Sequence, residues 1–216
     1  MFLISCLPCV RNLETISTKR GIELINCDDH QKVISKMGKR LEDFRPDVTH
    51  QCLLMLLDSP LNQAGLLQVY IRTNKNALIE VSPMLRVPRT YKTFAAMMAQ
   101  CLTKLKVRAA TGSAVLLNVI KNDVREKLPL GTKLIGTSSM AALRPMRDYV
   151  QDFSPVGTPE QFKAIAFVIG AVSVGNPGME NDLGVDEAIC IASTGLSAAC
   201  VCSKVCQAYE EHWSVV

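Results

Sequence analysis

The chain has no apolar run approaching the roughly eighteen residues that a membrane-spanning helix needs. It has no internal repeat and no low-complexity tract, which excludes a solenoid or a tail-like disordered protein. Charged residues make up only 20% and hydrophobic residues 48%, the balance of a globular core. At 216 residues the chain is expected to form a single domain, 1–216, large enough to bury a sizeable core. The apolar opening MFLISCLPCV lacks a basic n-region and meets Arg11 at once, so a first strand over Phe2–Val10 is expected rather than a secretory signal. The nine cysteines are an odd number, four of them between Cys190 and Cys206. Without a secretory signal they read as reduced thiols of a cytosolic or nuclear protein. Cys6 and Cys9 form a CxxC with no second pair, on a strand pattern, and are expected to be buried and idle. Cys27-Asp28-Asp29-His30 has the side chains of a metal site, but its tight spacing matches no zinc pattern, and no metal is expected. Asp28 or Asp29 is expected to cap a helix over Gln31–Met37.

Acid is the most informative absence. From Val81 to Asn122 there is no Asp or Glu, while Arg86, Arg89, Lys92, Lys104, Lys106, Arg108 and Lys121 all fall inside. These seven charges exceed the net +4 of the whole chain and leave −3 for the rest. A basic block on a mildly acidic body fits a surface that binds a polyanion. Arg86, Arg89 and Lys92 recur at three-residue steps, and guanidinium forks at that spacing suit adjacent phosphates.

Periodicity supplies the frame. Strands are expected at Gly21–Ile25, Leu66–Arg72, Ala77–Val81, Lys133–Thr137, Ile165–Ile169 and Ala188–Ala192. Helices are expected over Val48–Asp58, Thr90–Leu105, Ala114–Ile120 and Met146–Phe153, and after Ser193-Thr194-Gly195. Pro46 and Asp47 mark the start of the first of these, and Ser59-Pro60 its end. His50 lies one turn into that helix and is expected to be a hydrogen-bonded structural histidine. Phe94, Met97, Met98, Cys101, Leu102 and Leu105 form the buried stripe of the helix over Thr90–Leu105. Ser154–Pro159 reads as a loop. The C-terminal half alternates strand, helix, strand, strand, helix, which favours an α/β sheet with helices on its faces. Three strands end in small-residue turns, at Gly136-Thr137, Gly170 and Ser193-Thr194-Gly195. Open α/β sheets bind ligands at such carboxyl edges.

Several segments are more specific than any turn. Arg45-Pro46-Asp47-Val48-Thr49-His50-Gln51-Cys52-Leu53-Leu54 is followed by Leu57-Asp58-Ser59-Pro60-Leu61-Asn62. Asn26-Cys27-Asp28-Asp29-His30, Leu78-Ile79-Glu80-Val81, Val87-Pro88-Arg89-Thr90 and Leu196-Ser197-Ala198-Ala199 accompany them. From about Ile22 onward the chain resembles the ribosome-biogenesis pseudouridine N1-methyltransferases of the SPOUT class, in their eukaryotic form. The resemblance implies an α/β SPOUT-type sheet with a C-terminal trefoil knot and a family-specific insertion, a hairpin and basic helix, at about 61–110. It implies S-adenosylmethionine as cofactor and S-adenosylhomocysteine as product. The cofactor would be held by Thr137 in one loop and by Gly170 and Gly175 in the next. Ile191, Ala192, Ser193, Thr194, Gly195 and Leu196 would hold it in the third. The RNA contacts map onto Arg45, Arg86 and Arg89, with Lys92 beside Thr93, where relatives have a further arginine. The chain also departs from its relatives at Thr194-Gly195, where an aromatic-Pro pair is common, and at Val174, where a His is common.

The implied substrate is a pseudouridine in a hairpin loop of small-subunit rRNA, flipped into the pocket. The implied partners are a second copy of the chain, in a homodimer, and pre-ribosomal assembly proteins. No membrane is implied, and the location is the nucleus or nucleolus, with the cytoplasm as a further site. Asp47 is the motif's candidate base, but a salt-bridged carboxylate is a poor base at neutral pH, and orienting Arg45 is its expected role. Three other readings use the same residues: a non-catalytic RNA-binding assembly factor, a SPOUT enzyme acting on another base, and a nucleotide-binding α/β domain without RNA.

Overall fold

The protein is described by a computed structural model covering residues 4–10, 12–75, 77–121, 123–153, 164–173, 175 and 184–215. The chain opens with strand β1 (Ile4–Val10), which is buried along its whole length. An antiparallel pair follows, β2 (Thr15–Thr18) and β3 (Gly21–Leu24), and then the short helix α1 (Gln31–Lys36). Helix α2 (Pro46–Leu57) begins with proline in its first turn and leads through Ser59 into α3 (Pro60–Gln63). Strands β4 (Leu67–Thr73) and β5 (Leu78–Val81) pair antiparallel. Next come α4 (Tyr91–Lys104), β6 (Lys106–Arg108) and β7 (Val115–Ile120). The C-terminal part runs β8 (Lys133–Thr137), α5 (Met146–Phe153), β9 (Ile165–Gly170), β10 (Glu187–Ile189) and α6 (Ala198–Trp213).

The described strands form an eight-stranded sheet in the order β10-β8-β9-β1-β4-β5-β7-β6. The five strands from β10 to β4 pair in parallel, and the remaining three add on antiparallel. Parallel strands need cover on both faces, and two apolar clusters supply it. On one face Cys6, Val69, Ile79, Phe167 and Ile169 pack with residues of α2, α4, α5 and α6. On the other, Leu7, Tyr70, Leu134, Ala166 and Val168 pack with Val124 and Leu128. Cys6 and Cys9 sit in different clusters, because a spacing of three puts residues of one strand on opposite faces. The CxxC therefore cannot close on itself.

Some expectations change. Val115–Ile120 is strand, not helix: its Val and Ile residues pair with β5 on one side and β6 on the other, and that pairing overrides a local pattern that fits both periods. Neither Asp28 nor Asp29 caps α1. His30 is the cap residue, without a side-chain cap bond, and the Asn26 side chain instead accepts from the N–H groups of Asp28 and Asp29 at 3.0 and 2.8 Å. Leu105 leaves the buried stripe of α4. It is 51% exposed and takes a left-handed backbone (φ 62°), which turns the chain straight into β6. The last strand is shorter than expected, Glu187–Ile189, since residues beyond it diverge to form a loop. The expected loop at Ser154–Pro159 and the first two residues of the expected N-terminal strand lie outside the described residues.

Phe167, at the centre of β9, is fully buried between Tyr149 and Tyr209, with ring centroids 6.3 and 6.0 Å away. Phe167→Ala is expected to cost about 3–5 kcal/mol through lost transfer energy and the cavity left behind. Urea unfolding of the purified variant measures it.

Candidate functional site

Matched register brings the three expected turns together. Lys133 pairs with Ile165 and Gly136 with Val168, while Ile189 pairs with Thr137. The carboxyl ends of β8, β9 and β10 are thus level, and a pocket of about 460 Å³ opens above them. The first loop contributes Thr137, Ser138 and Ser139, and the second Gly170, Val172, Ser173 and Gly175. Cys190, Ile191, Ala192, Thr194, Gly195 and Leu196 come from the third. The start of α6 closes one end with Ala198, Ala199 and Val201. Small side chains there let the helix approach the cavity closely. Of the cofactor residues expected from sequence, only Ser193 does not line the pocket.

Short contacts fix these loops to one another. Thr137 Oγ1 donates to Val168 O at 3.0 Å, and Ser138 N to Ile189 O at 3.0 Å. Cys190 exchanges backbone bonds with Ala142 and Arg144 at 2.8 and 2.7 Å, so the first and third loops are stitched together. Ser173 Oγ donates to Glu42 O at 2.5 Å and ties the second loop to the chain just before α2. Gly175 has φ 104°, a conformation that a side chain would strain. Gly195 is different: a Cβ there would meet nothing within 4 Å. Close packing therefore does not require glycine at position 195.

Arg45, at the start of helix α2, and Val48 and Gln51 on it form the opposite wall; sequence reasoning assigned none of the three to the pocket and read Arg45 as an RNA contact. Three-residue spacing on one helix was the available signal. Asp47 does not line the cavity. Its oxygens accept from Arg45 Nε at 2.8 Å and Nη2 at 2.7 Å, a two-point pair with each side chain about a third exposed (37% and 33%). Burial works to raise the Asp47 pKa, but the Arg45 hydrogen bonds and charge, with N–H groups at the helix start, outweigh it and hold the carboxyl below its usual range. The Arg45 guanidinium is stabilised as the cation in turn.

Arg86, Arg89 and Lys92 lie outside the pocket and are exposed. The segment that carries them is strapped along α2. Asn62 Nδ2 donates to Pro83 O at 3.1 Å, and Leu85 and Val87 turn inward. His50 Nε2 lies 2.6 Å from Pro88 O, so that nitrogen carries the hydrogen. The His50 ring stacks on Phe94 at 4.5 Å, the structural role expected for it. Arg89 Nη1 meets Asp58 Oδ2 at 2.5 Å on the surface. Thr93, also exposed, is bonded to Thr90 at 2.9 Å. Cys27, Asp28, Asp29 and His30 are engaged in their own turn and with Glu23, and no described group of three or more such side chains is placed to hold a metal.

The structure is an open α/β domain with a ligand-sized cavity at its carboxyl edge and a basic strap beside it, features that suit an enzyme or binder with a polyanionic ligand. The chain belongs to the EMG1/NEP1 methyltransferase family, whose profile matches residues 4–210. It is 46% identical over 206 residues to the mouse ribosomal RNA small subunit methyltransferase NEP1, covering 95% of this chain and 80% of that one. The Candida albicans protein of the same name is 43% identical over 192 residues, 89% of this chain and 69% of its own. The crystal structure of Archaeoglobus fulgidus Nep1 bound to S-adenosylhomocysteine superposes with a TM-score of 0.70, covering 97% of this chain and 98% of that one, at 20% identity. That likeness establishes the fold.

The Arg45–Asp47 pair has a pH signature. A carboxyl whose folded pKa is depressed contributes stability above its unfolded value, about 3.9, and loses it as pH falls through the lowered value. Asp47→Asn is expected to be less stable than the parent at pH 7 by up to about 1 kcal/mol, as for a partly exposed pair. The difference should shrink below pH 4, as measured by denaturant unfolding across pH.

Proposed function

We propose that this protein transfers a methyl group from S-adenosylmethionine to N1 of a pseudouridine in small-subunit rRNA, as a step in small-subunit biogenesis. Membership of a methyltransferase family and the names of its relatives support the reaction class and the rRNA substrate. The observation that carries the cofactor is the pocket itself. Its backbone-rich loops, its apolar walls at Ile169, Ile191, Leu196 and Val201, and its volume suit an adenosyl ligand. Thr137, Gly170, Gly175 and the run from Ile191 to Leu196 are the residues we assign to it, with Ser193 contributing from the loop backbone. The bound sulfonium supplies a methyl group and leaves as a neutral thioether, S-adenosylhomocysteine. The protein's task is to hold the base in line with that methyl and to exclude water.

We assign Arg45, Arg86, Arg89 and Lys92 to the RNA, with Asp47 as the residue that fixes Arg45. A carboxylate held ionised by two hydrogen bonds has little affinity for the N1 proton, which favours orientation over base catalysis. The target base must leave its stack to reach the pocket, and a hairpin loop allows that at low cost. The sheet order β10-β8-β9 and the stitching of residues 138–144 to 189–190 support the C-terminal trefoil knot. We read residues 61–110, with their hairpin and basic helix, as an insertion within one SPOUT domain. Exposed Met140 (81%) and Leu143 (54%) beside the pocket support a homodimer through that face. Pre-ribosomal partners and a nuclear or nucleolar location follow from the rRNA substrate. No helix among the described residues is long and apolar enough to cross a membrane.

Transfer of labelled methyl from S-adenosylmethionine to a short hairpin carrying pseudouridine, and none to the uridine hairpin, is the expected outcome. Tight hairpin binding without transfer would instead make the protein an RNA-binding assembly factor. Arg89→Ala is expected to leave cofactor affinity unchanged and to reduce the slope of log affinity against log salt by roughly 0.7–0.9, the loss of one phosphate contact. Titrations at several salt concentrations read it.

A further inference from the structure

The polar side chains that line the pocket are mostly committed to the protein. Thr137, Ser173 and Cys190 donate to backbone carbonyls, and Ser138 and Ser197 accept from backbone N–H groups. Arg45 is paired with Asp47. Gln51 is not so committed: it is exposed, it lines the pocket from the α2 side, and its carboxamide has no hydrogen-bond partner among the described residues. Arg45, Val48 and Gln51 follow each other at three-residue steps, so Gln51 sits about 9 Å along the helix axis from Arg45. A nucleotide whose phosphate meets Arg45 can lay its base across Val48 toward Gln51.

Resting on the methyl-transfer reading above, we propose that Gln51 binds the imide edge of the flipped target base. Pseudouridine joins its ribose through carbon. Its N1–H must face the methyl donor, and what remains free is N3–H, flanked by two carbonyl oxygens. A carboxamide offers an acceptor beside a donor, which matches N3–H and one carbonyl in a two-point contact. Ser139 and Thr194 also line the pocket, but a lone hydroxyl is a single atom and cannot set an acceptor beside a donor as a carboxamide does. Gln51 is thus a positioning residue for the base: it fixes the ring so that N1 lies in line with the methyl group. It takes no part in the bonds made and broken.

The test compares kcat/KM of the parent and of Gln51→Ala on two hairpins, one with pseudouridine and one with N3-methylpseudouridine. For the parent, the N3-methyl group is expected to lower kcat/KM about 10- to 100-fold. For Gln51→Ala, transfer to pseudouridine is expected to be lower by a similar factor, and N3-methylation should add less than about threefold, because the contact is already gone. Calorimetric affinity for S-adenosylhomocysteine should be the same in both proteins, which shows that the variant is folded. Parent-level transfer by Gln51→Ala, or an N3-methyl penalty of equal size in both proteins, overturns the proposal while the methyl-transfer reading stands. If the parent transfers nothing to the pseudouridine hairpin, that reading fails and takes this proposal with it.

Discussion

Parallel pairing at matched register is the constraint on which the site depends. Because Gly136 lies opposite Val168 and Thr137 opposite Ile189, three loops distant in sequence begin at one level above the sheet. A slip of one residue in β8, β9 or β10 would exchange the buried and opposite faces of that strand. It would also carry its loop out of line with the other two. The cost of such a slip is set by Ile135, Phe167 and Ile189, which fill one face, and by Leu134, Ala166 and Val168, which fill the other. The pocket is therefore specified by core packing more than by its own residues. That explains how its rim can carry a residue as unconstrained as Gly195.

Helix α2 couples this pocket to the basic surface. One side of it lines the cavity, and side chains along and just beyond it hold the strap from Pro83 to Arg89 through His50, Asp58 and Asn62. Two of the cations arrive already paired, Arg45 with Asp47 and Arg89 with Asp58, but the pairs differ. The Arg45 fork is engaged at two points and set in direction, leaving the rest of the guanidinium to face a ligand. Arg89 meets Asp58 through a single nitrogen on an open surface, a contact that a phosphate can replace at little cost.

Much of this was legible in the sequence, since the informative signals were local. Small-residue turns after β-branched runs located the three loops, and Pro46-Asp47 located the start of α2. The acid-free stretch marked the strap, and the family motifs told which turns belong together. What the sequence left out depends on tertiary partners. Val115–Ile120 fits helix and strand alike until β5 and β6 flank it. Leu105 continues the α4 stripe by spacing, but the chain must reverse there to enter β6. His50 reads as structural from sequence, yet its partner, the Pro88 carbonyl, is thirty-eight residues away. Gln51 follows Arg45 and Val48 at three-residue steps, but spacing alone does not tell which side of α2 faces a cavity, because that is a property of the assembled fold.

The central claim is that the three loops hold the cofactor on one side of a single pocket, that one side of α2 forms the opposite wall, and that the basic strap lies outside it. Backbone amide exchange measured with and without S-adenosylhomocysteine tests this most directly. The account predicts slowed exchange at residues 137–139, 170–173 and 190–197, with no change over 83–92. Protection centred on the basic strap, or confined to one loop with the other two unaffected, would contradict it.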